Sequence, residues 1–253
     1  MKIKNQKGFS HLLLIPIILV LAGIGFAAYR VVNNNSKADD TAKTTTSEES
    51  EPDIVLQNIG IDSIDNIDIN DYAVREFDTQ GLKGFYVFGD SLSGGRQNPT
   101  FEFASLKDGT KAVSAIDGVV TFIKEQSETS DFEVFVQPKA GSAWTVGYDH
   151  LINVAVTKGQ TVNAGDVLGE PAEQNNGLTR FEIQINKDVG SETTHYCPTT
   201  LLSSDVKAVV EEKLLEMQKS WESVTGKELY DTDAQDPIGC LKTTMTPAEA
   251  EGN

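Results

Sequence analysis

The chain has 253 residues, 39 % of them apolar and 23 % charged, with a formal net charge of −17. That balance excludes a collagen-like repeat, a multispan membrane protein and a wholly disordered chain. The first 30 residues carry four basic side chains and no acid, so the rest carries −21. A surface that acidic repels phosphate backbones, which excludes nucleic acid as a partner.

Residues 1–8 form a basic tail with Lys2, Lys4 and Lys7. Residues 9–29 are uncharged and mostly Leu, Ile, Val, Ala and Gly. As a helix that run spans roughly 30 Å, the thickness of a bilayer core. The lysines before it predict a cytoplasmic N-terminus and a single transmembrane helix that anchors an extracytoplasmic C-terminal part in a cell membrane. Two other readings stay open. Gly25-Phe26-Ala27 loosely fits a signal-peptide cleavage site. Lys7-Gly8-Phe9-Ser10 resembles a type IV prepilin processing site, although Leu13 stands where that family carries Glu, and it implies a pilin-like assembly protein.

Residues 33–53 are rich in Asn, Ser, Thr, Asp, Glu and Lys and are read as a disordered linker. A β domain is expected over 54–200. Its runs at 85–88, 100–103, 119–123, 132–136, 145–148 and 181–185 are β-branched or aromatic, and Asp108-Gly109, Asp117-Gly118, Lys158-Gly159 and Ala164-Gly165 supply turns. This pattern makes the fold class mainly β, an antiparallel sheet or sandwich, and 132–137 should have one wet face. Residues 57–80, with repeated Ile-Asp pairs, carry no motif that assigns them a role.

The period becomes helical over 201–253. Val206, Val209, Val210, Leu214, Met217, Trp221 and Val224 form an amphipathic α-helix's apolar stripe, with Ser204 as N-cap and Gly226 as the residue that ends it. The tail after Cys240 is expected to be loose. Cys197 and Cys240 are the chain's two cysteines. In an exported domain they read as one disulfide, closing a loop of about 44 residues worth roughly 4 kcal/mol.

Three stretches carry possible chemistry. Gly109-Thr110-Lys111-Ala112-Val113-Ser114-Ala115-Ile116-Asp117-Gly118-Val119-Val120 is followed by Tyr148-Asp149-His150-Leu151 and a Val156 to Gly169 run with glycines at 159, 165 and 169. Arg180-Phe181-Glu182-Ile183 comes third. In order and spacing they resemble the lysostaphin-type (LytM-like) zinc endopeptidases of peptidoglycan, a duplicated hybrid motif fold. The resemblance covers 96–185 and implies that fold for the β domain. In that family zinc is held by a His and an Asp four residues apart and by the second His of an H-x-H. Those positions fall here on Asn98, Glu102 and Arg180, and Leu178 takes the first His of H-x-H. Only His150, of the Y-x-H-L motif, matches.

The chain has three histidines, and His11 lies in the apolar run, so the exported part keeps His150 and His195. A catalytic zinc wants three protein ligands and an open position. Asn98 offers a neutral amide, Leu178 nothing, and Arg180 a permanent cation. The expectation is therefore a degenerate member with no catalytic residues, no metal and no cofactor. It would act as a binding or regulatory module for peptidoglycan or a cell-wall hydrolase, with Asn98, Glu102, His150, Leu178 and Arg180 lining the degenerate site. Arg180 should pair with Glu102 in place of the ion. The alternative is a zinc endopeptidase with non-standard ligands among Glu102, His150, Glu182 and His195. The glycine-spaced hairpin also resembles lipoyl carriers and efflux-pump adaptors, which keeps adaptor assembly open, but Lys124 and Lys139 lack a carrier lysine's matched flanks. No Walker loop, dinucleotide-binding glycine pattern or Gly-x-Ser-x-Gly elbow is present.

Overall fold

The computed structural model describes residues 51, 53–67, 83–173 and 179–252. The segment expected to span the membrane, the linker up to residue 50, and Leu178 lie outside the described residues. Among the described residues no helix is long and apolar enough to cross a membrane.

The strands are β1 (Phe85–Tyr86), β2 (Phe101–Phe103), β3 (Ala112–Val113), β4 (Gly118–Gln126), β5 (Asp131–Gln137), β6 (Trp144–Ile152), β7 (Thr161–Val162), β8 (Val167–Glu173), β9 (Thr179–Val189), β10 (Glu192–Tyr196) and β11 (Thr244–Met245). They join into one eleven-stranded antiparallel sheet rather than two separate layers. Its main run is β1-β2-β9-β6-β5-β4-β7. Strand β9 is the spine. Residues 182–187 pair with β6 on one edge, while the other edge takes β2 at 181–183 and β10 at 185–189.

Strict alternation sorts the side chains of this spine. Phe181, Ile183 and Ile185 face the core with Tyr148 and Val146 of β6 and Phe101 and Phe103 of β2, all fully buried. Phe85 stacks on Phe103 at 4.8 Å, and Phe103 on Phe181 at 6.4 Å. Arg180, Glu182, Gln184 and Asn186 take the opposite face. Strand β5 departs from the expected pattern, because Phe135 packs on Phe122 of β4 with ring centroids 5.9 Å apart. Phe135, on the face expected to be wet, is buried.

The core face is closed partly by a strap over 53–67. Ile54, Leu56, Ile59, Ile61 and Ile67 are buried, and Leu56 exchanges backbone hydrogen bonds with Leu201 and Ser203. At Gly60, with φ of +85°, a Cβ would come within 2.8 Å of the Phe181 ring. Glu51 is docked too, accepting from Ser142 Oγ and Ala143 N, both at 2.9 Å.

Helix α1 is Ser204–Thr225; its N-cap is Ser203 rather than Ser204, and Gly226 ends it in the left-handed conformation. Val210, Leu214, Met217, Gln218 and Trp221 are buried, whereas Val209 and Val224 face solvent. The stripe is narrower than its sequence suggested because a single seam of α1 packs inward, beside the turns at Ile64–Asn66 and Pro198–Leu201. Trp221 lies so close over Gly84 that a Cβ there would sit 2.5 Å from the indole. Trp221→Ala should cost about 3–5 kcal/mol, read as a lower midpoint in urea unfolding.

Cys197 and Cys240 form the expected disulfide, with Cα atoms 5.9 Å apart. The segment beyond Cys240 is not loose. Strand β11 pairs with β10, and α2 (Pro247–Glu251) starts from a capping box between Thr246 and Glu249. The disulfide and β11 together hold this end on the sheet.

Candidate functional site

Register lines up a row of ionisable side chains across the face turned away from the core, the open face, although Glu102, Asp149, His150 and Glu182 are themselves buried. Tyr86 of β1 lies opposite Glu102 of β2, Glu102 opposite Glu182 of β9, and Glu182 opposite Asp149 of β6. Glu133 of β5 and Lys124 of β4, which pair with each other, continue the row. Between the Phe132–Leu151 and Val134–Tyr148 pairs, Asp149 and His150 together oppose Glu133 alone. This is a β-bulge, and His150 sits in it with φ of +59°. A bulge re-aims one side chain across its sheet, and here it brings His150 into the acidic row.

Arg180 is the centre of the cluster. Its Nε donates to Glu102 Oε1 at 2.8 Å and its Nη2 to Glu182 Oε1 at 2.6 Å. The ion pair expected between Glu102 and Arg180 is therefore present, and Glu182 makes it a triad. Burial alone would discourage the guanidinium's charge, but Glu102, Glu182 and Asp149 outweigh it. Burial would also raise Glu182, yet Arg180 and His150 hold it down at about 2. Glu102 goes the other way: burial pushes it up to about 7 despite Arg180.

His150 forms the second charged pair. Its Nδ1–H donates to Asp131 Oδ2 at 2.6 Å, and Nε2 lies 3.4 Å from Glu182 Oε1 and 3.9 Å from Asp149 Oδ2. Burial opposes protonation, but Asp131 and Glu182 override it and raise the imidazole to about 10. Asp149 accepts from Gln126 and from the His150 backbone N–H, and burial raises it. Burial and the nearby Asp149 push Glu133 up to about 8.

Asn98 serves the backbone. Its Nδ2 donates to the carbonyls of Tyr86, Val87 and Thr100, and its Oδ1 accepts from Thr100. His195 belongs elsewhere, with Nδ1 at 2.6 Å from Asn186 Oδ1 and burial lowering it to about 4. Asn186 is four residues along β9 from Glu182, roughly 13 Å at the rise of a strand. The residues that sequence reading missed are Asp131, Asp149 and Glu133. Asp149 was visible inside the Tyr148–Leu151 motif; the other two become partners only through the register of β5.

The groups best placed for a metal are Asp131, Asp149 and His150, whose ligand atoms lie within 4.8 Å of one another. They do not fit a zinc ion. With Nδ1 on Asp131 the ligand would have to be Nε2, and the imidazole, whose charge Asp131 and Glu182 favour, would first have to lose its proton there. The neighbouring Glu182 already carries the Arg180 guanidinium, which would face any added cation. At Glu102 the misfit is plainer, because Arg180 itself occupies the carboxylate.

Residues 101–190, from β2 to the end of β9, match the family model described as peptidase family M23. Similar solved structures include cbpa from L. salivarius REN, at 22 % identity over 43 % of this chain and 71 % of that one, with a TM-score of 0.34. The catalytic domain of the antimicrobial peptidase lysostaphin from Staphylococcus simulans aligns at 18 % identity over 46 % of this chain and 87 % of its own, with a TM-score of 0.36. Lysostaphin in solution aligns at 16 % identity over 47 % of this chain, which spans 51 % of it, with a TM-score of 0.40. No curated protein matches the chain.

Proposed function

We propose that the chain is a non-catalytic M23-type module, held at the outer face of a bacterial cell membrane by residues 9–29, that binds peptidoglycan or a cell-wall hydrolase. The supporting observation is the triad of Arg180 with Glu102 and Glu182, which sets a permanent cation among the carboxylates of the open face. A face that keeps its walls can still hold an extended ligand, because affinity comes from contacts along the face rather than from an ion. No hydrolytic step is derived, since the protonated His150 has no free lone pair with which to take a proton from water.

The test mixes the full chain with purified cell-wall sacculi and follows both sedimentation and release of new amino groups. We expect co-sedimentation without hydrolysis. Release of amino groups above a heat-treated control would overturn the reading, as would the absence of binding both to sacculi and to cell-wall hydrolases.

A further inference from the structure

The triad leaves hydrogen-bond donors unspent. A guanidinium presents N–H groups on all three nitrogens. Arg180 uses Nε on Glu102 and Nη2 on Glu182, and Nη1 has no partner among the described residues. Its side chain is 21 % exposed, against 11 % for Glu102 and 6 % for Glu182, so Arg180 is the most accessible member of the triad. Tyr86, opposite Glu102 on β1, accepts from Lys83 N at 3.3 Å, and its own O–H has no acceptor among the described residues.

Charge decides what these donors can take. Arg180 is already balanced by Glu102 and Glu182, and Asp149 and Glu133 stand in the same row. An incoming carboxylate gains little from Arg180, which Glu182 already neutralises, and would sit beside that carboxylate. An incoming ammonium meets Arg180 and His150. A neutral acceptor meets neither penalty, and a hydrogen bond from a charged donor is among the stronger ones.

We propose that Arg180, with Tyr86 beside it, is the recognition site for an uncharged carbonyl oxygen, that of a peptide or acetamido group, on the ligand of the open face. This rests on the binding reading above and gives it a ligand chemistry. It also gives Arg180 a role beyond holding β2 and β9 together.

Saturation-transfer NMR on the full chain tests it with N-acetyl-Ala-Ala-amide, the same peptide as its free acid, and the same peptide with a free amine. The blocked amide should bind saturably and more tightly than either charged form. Arg180→Lys keeps the charge but loses the planar donors and should weaken it about tenfold, and Tyr86→Phe about threefold. Tyr86→Phe removes one hydroxyl, so it keeps the test open should Arg180→Lys fail to fold. No saturable binding, a charged form binding as tightly as the amide, or unchanged affinity in Tyr86→Phe or in folded Arg180→Lys would each overturn the site. If sacculus binding without hydrolysis persisted in such a case, this assignment alone would fall and the non-catalytic module would stand.

Discussion

Arg180→Leu is expected to destabilise the domain by about 3–5 kcal/mol, because it leaves two buried carboxylates facing each other without their cation. For a domain of this size that is a fall of roughly 6–20 °C in melting temperature. The loss should be electrostatic rather than a packing defect. Adding Glu102→Gln and Glu182→Gln to Arg180→Leu should therefore restore most of it, since a neutral cluster has no unpaired charge to bury. Thermal unfolding of the single and triple variants reads the difference. A triple variant as unstable as the single one would show that Arg180 acts through its shape.

The second large effect is on pH. Glu102 and Glu133 are raised to about 7 and about 8 in the folded chain. Folding therefore binds protons between the ordinary Glu range and those values, and stability falls as pH rises through that window. His150, raised to about 10, adds stability that is complete below its ordinary value near 6.5 and is lost toward pH 10. Glu182, held at about 2, acts oppositely, contributing above pH 4.5 and failing as pH drops toward 2. Together these give maximal stability near pH 5 and a loss of about 3 kcal/mol by pH 9, a modest sum because the charges screen one another. Melting temperatures across that range check the slope, and Glu133→Gln should flatten it between pH 5 and pH 8. A domain more stable at pH 9 than at pH 5 would contradict these assignments.

Much of the fold could be read along the chain because its signals are local. The six aromatic and β-branched runs are strands β1, β2, β4, β5, β6 and β9, and the two cysteines are bonded. What stayed hidden depends on partners distant in sequence. Strand β10 is Glu192-Thr193-Thr194-His195-Tyr196, too polar to stand out, and it pairs because β9 runs on past β2 and leaves an open edge. Strand β11 has two residues and is held by the disulfide and β10. In the Ile-rich segment after the linker, Ile59, Ile61 and Ile67 are buried in the core, a contact distant in sequence that no local pattern marks.

The site divides the same way. Arg180 and Glu102 were legible because both stand at positions where the family that the sequence resembles carries metal ligands, and a cation facing a carboxylate there predicts an ion pair. Asp131 could not be found so. It follows a turn with no motif, and it reaches His150 only because the bulge at Asp149 and His150 turns the imidazole toward β5. A bulge shifts a strand's alternation by one residue, and in β6, buried along nearly its whole length, that shift is not visible in the sequence.

Elemental analysis of the purified chain, expressed without chelators and dialysed against micromolar zinc, measures directly whether Arg180 has displaced the metal. Zinc should remain below about a tenth of an equivalent, in line with a site whose donors are already spent on a guanidinium and an imidazolium. One tightly held zinc per chain, lost on His150→Ala, would mean that these side chains rearrange around an ion.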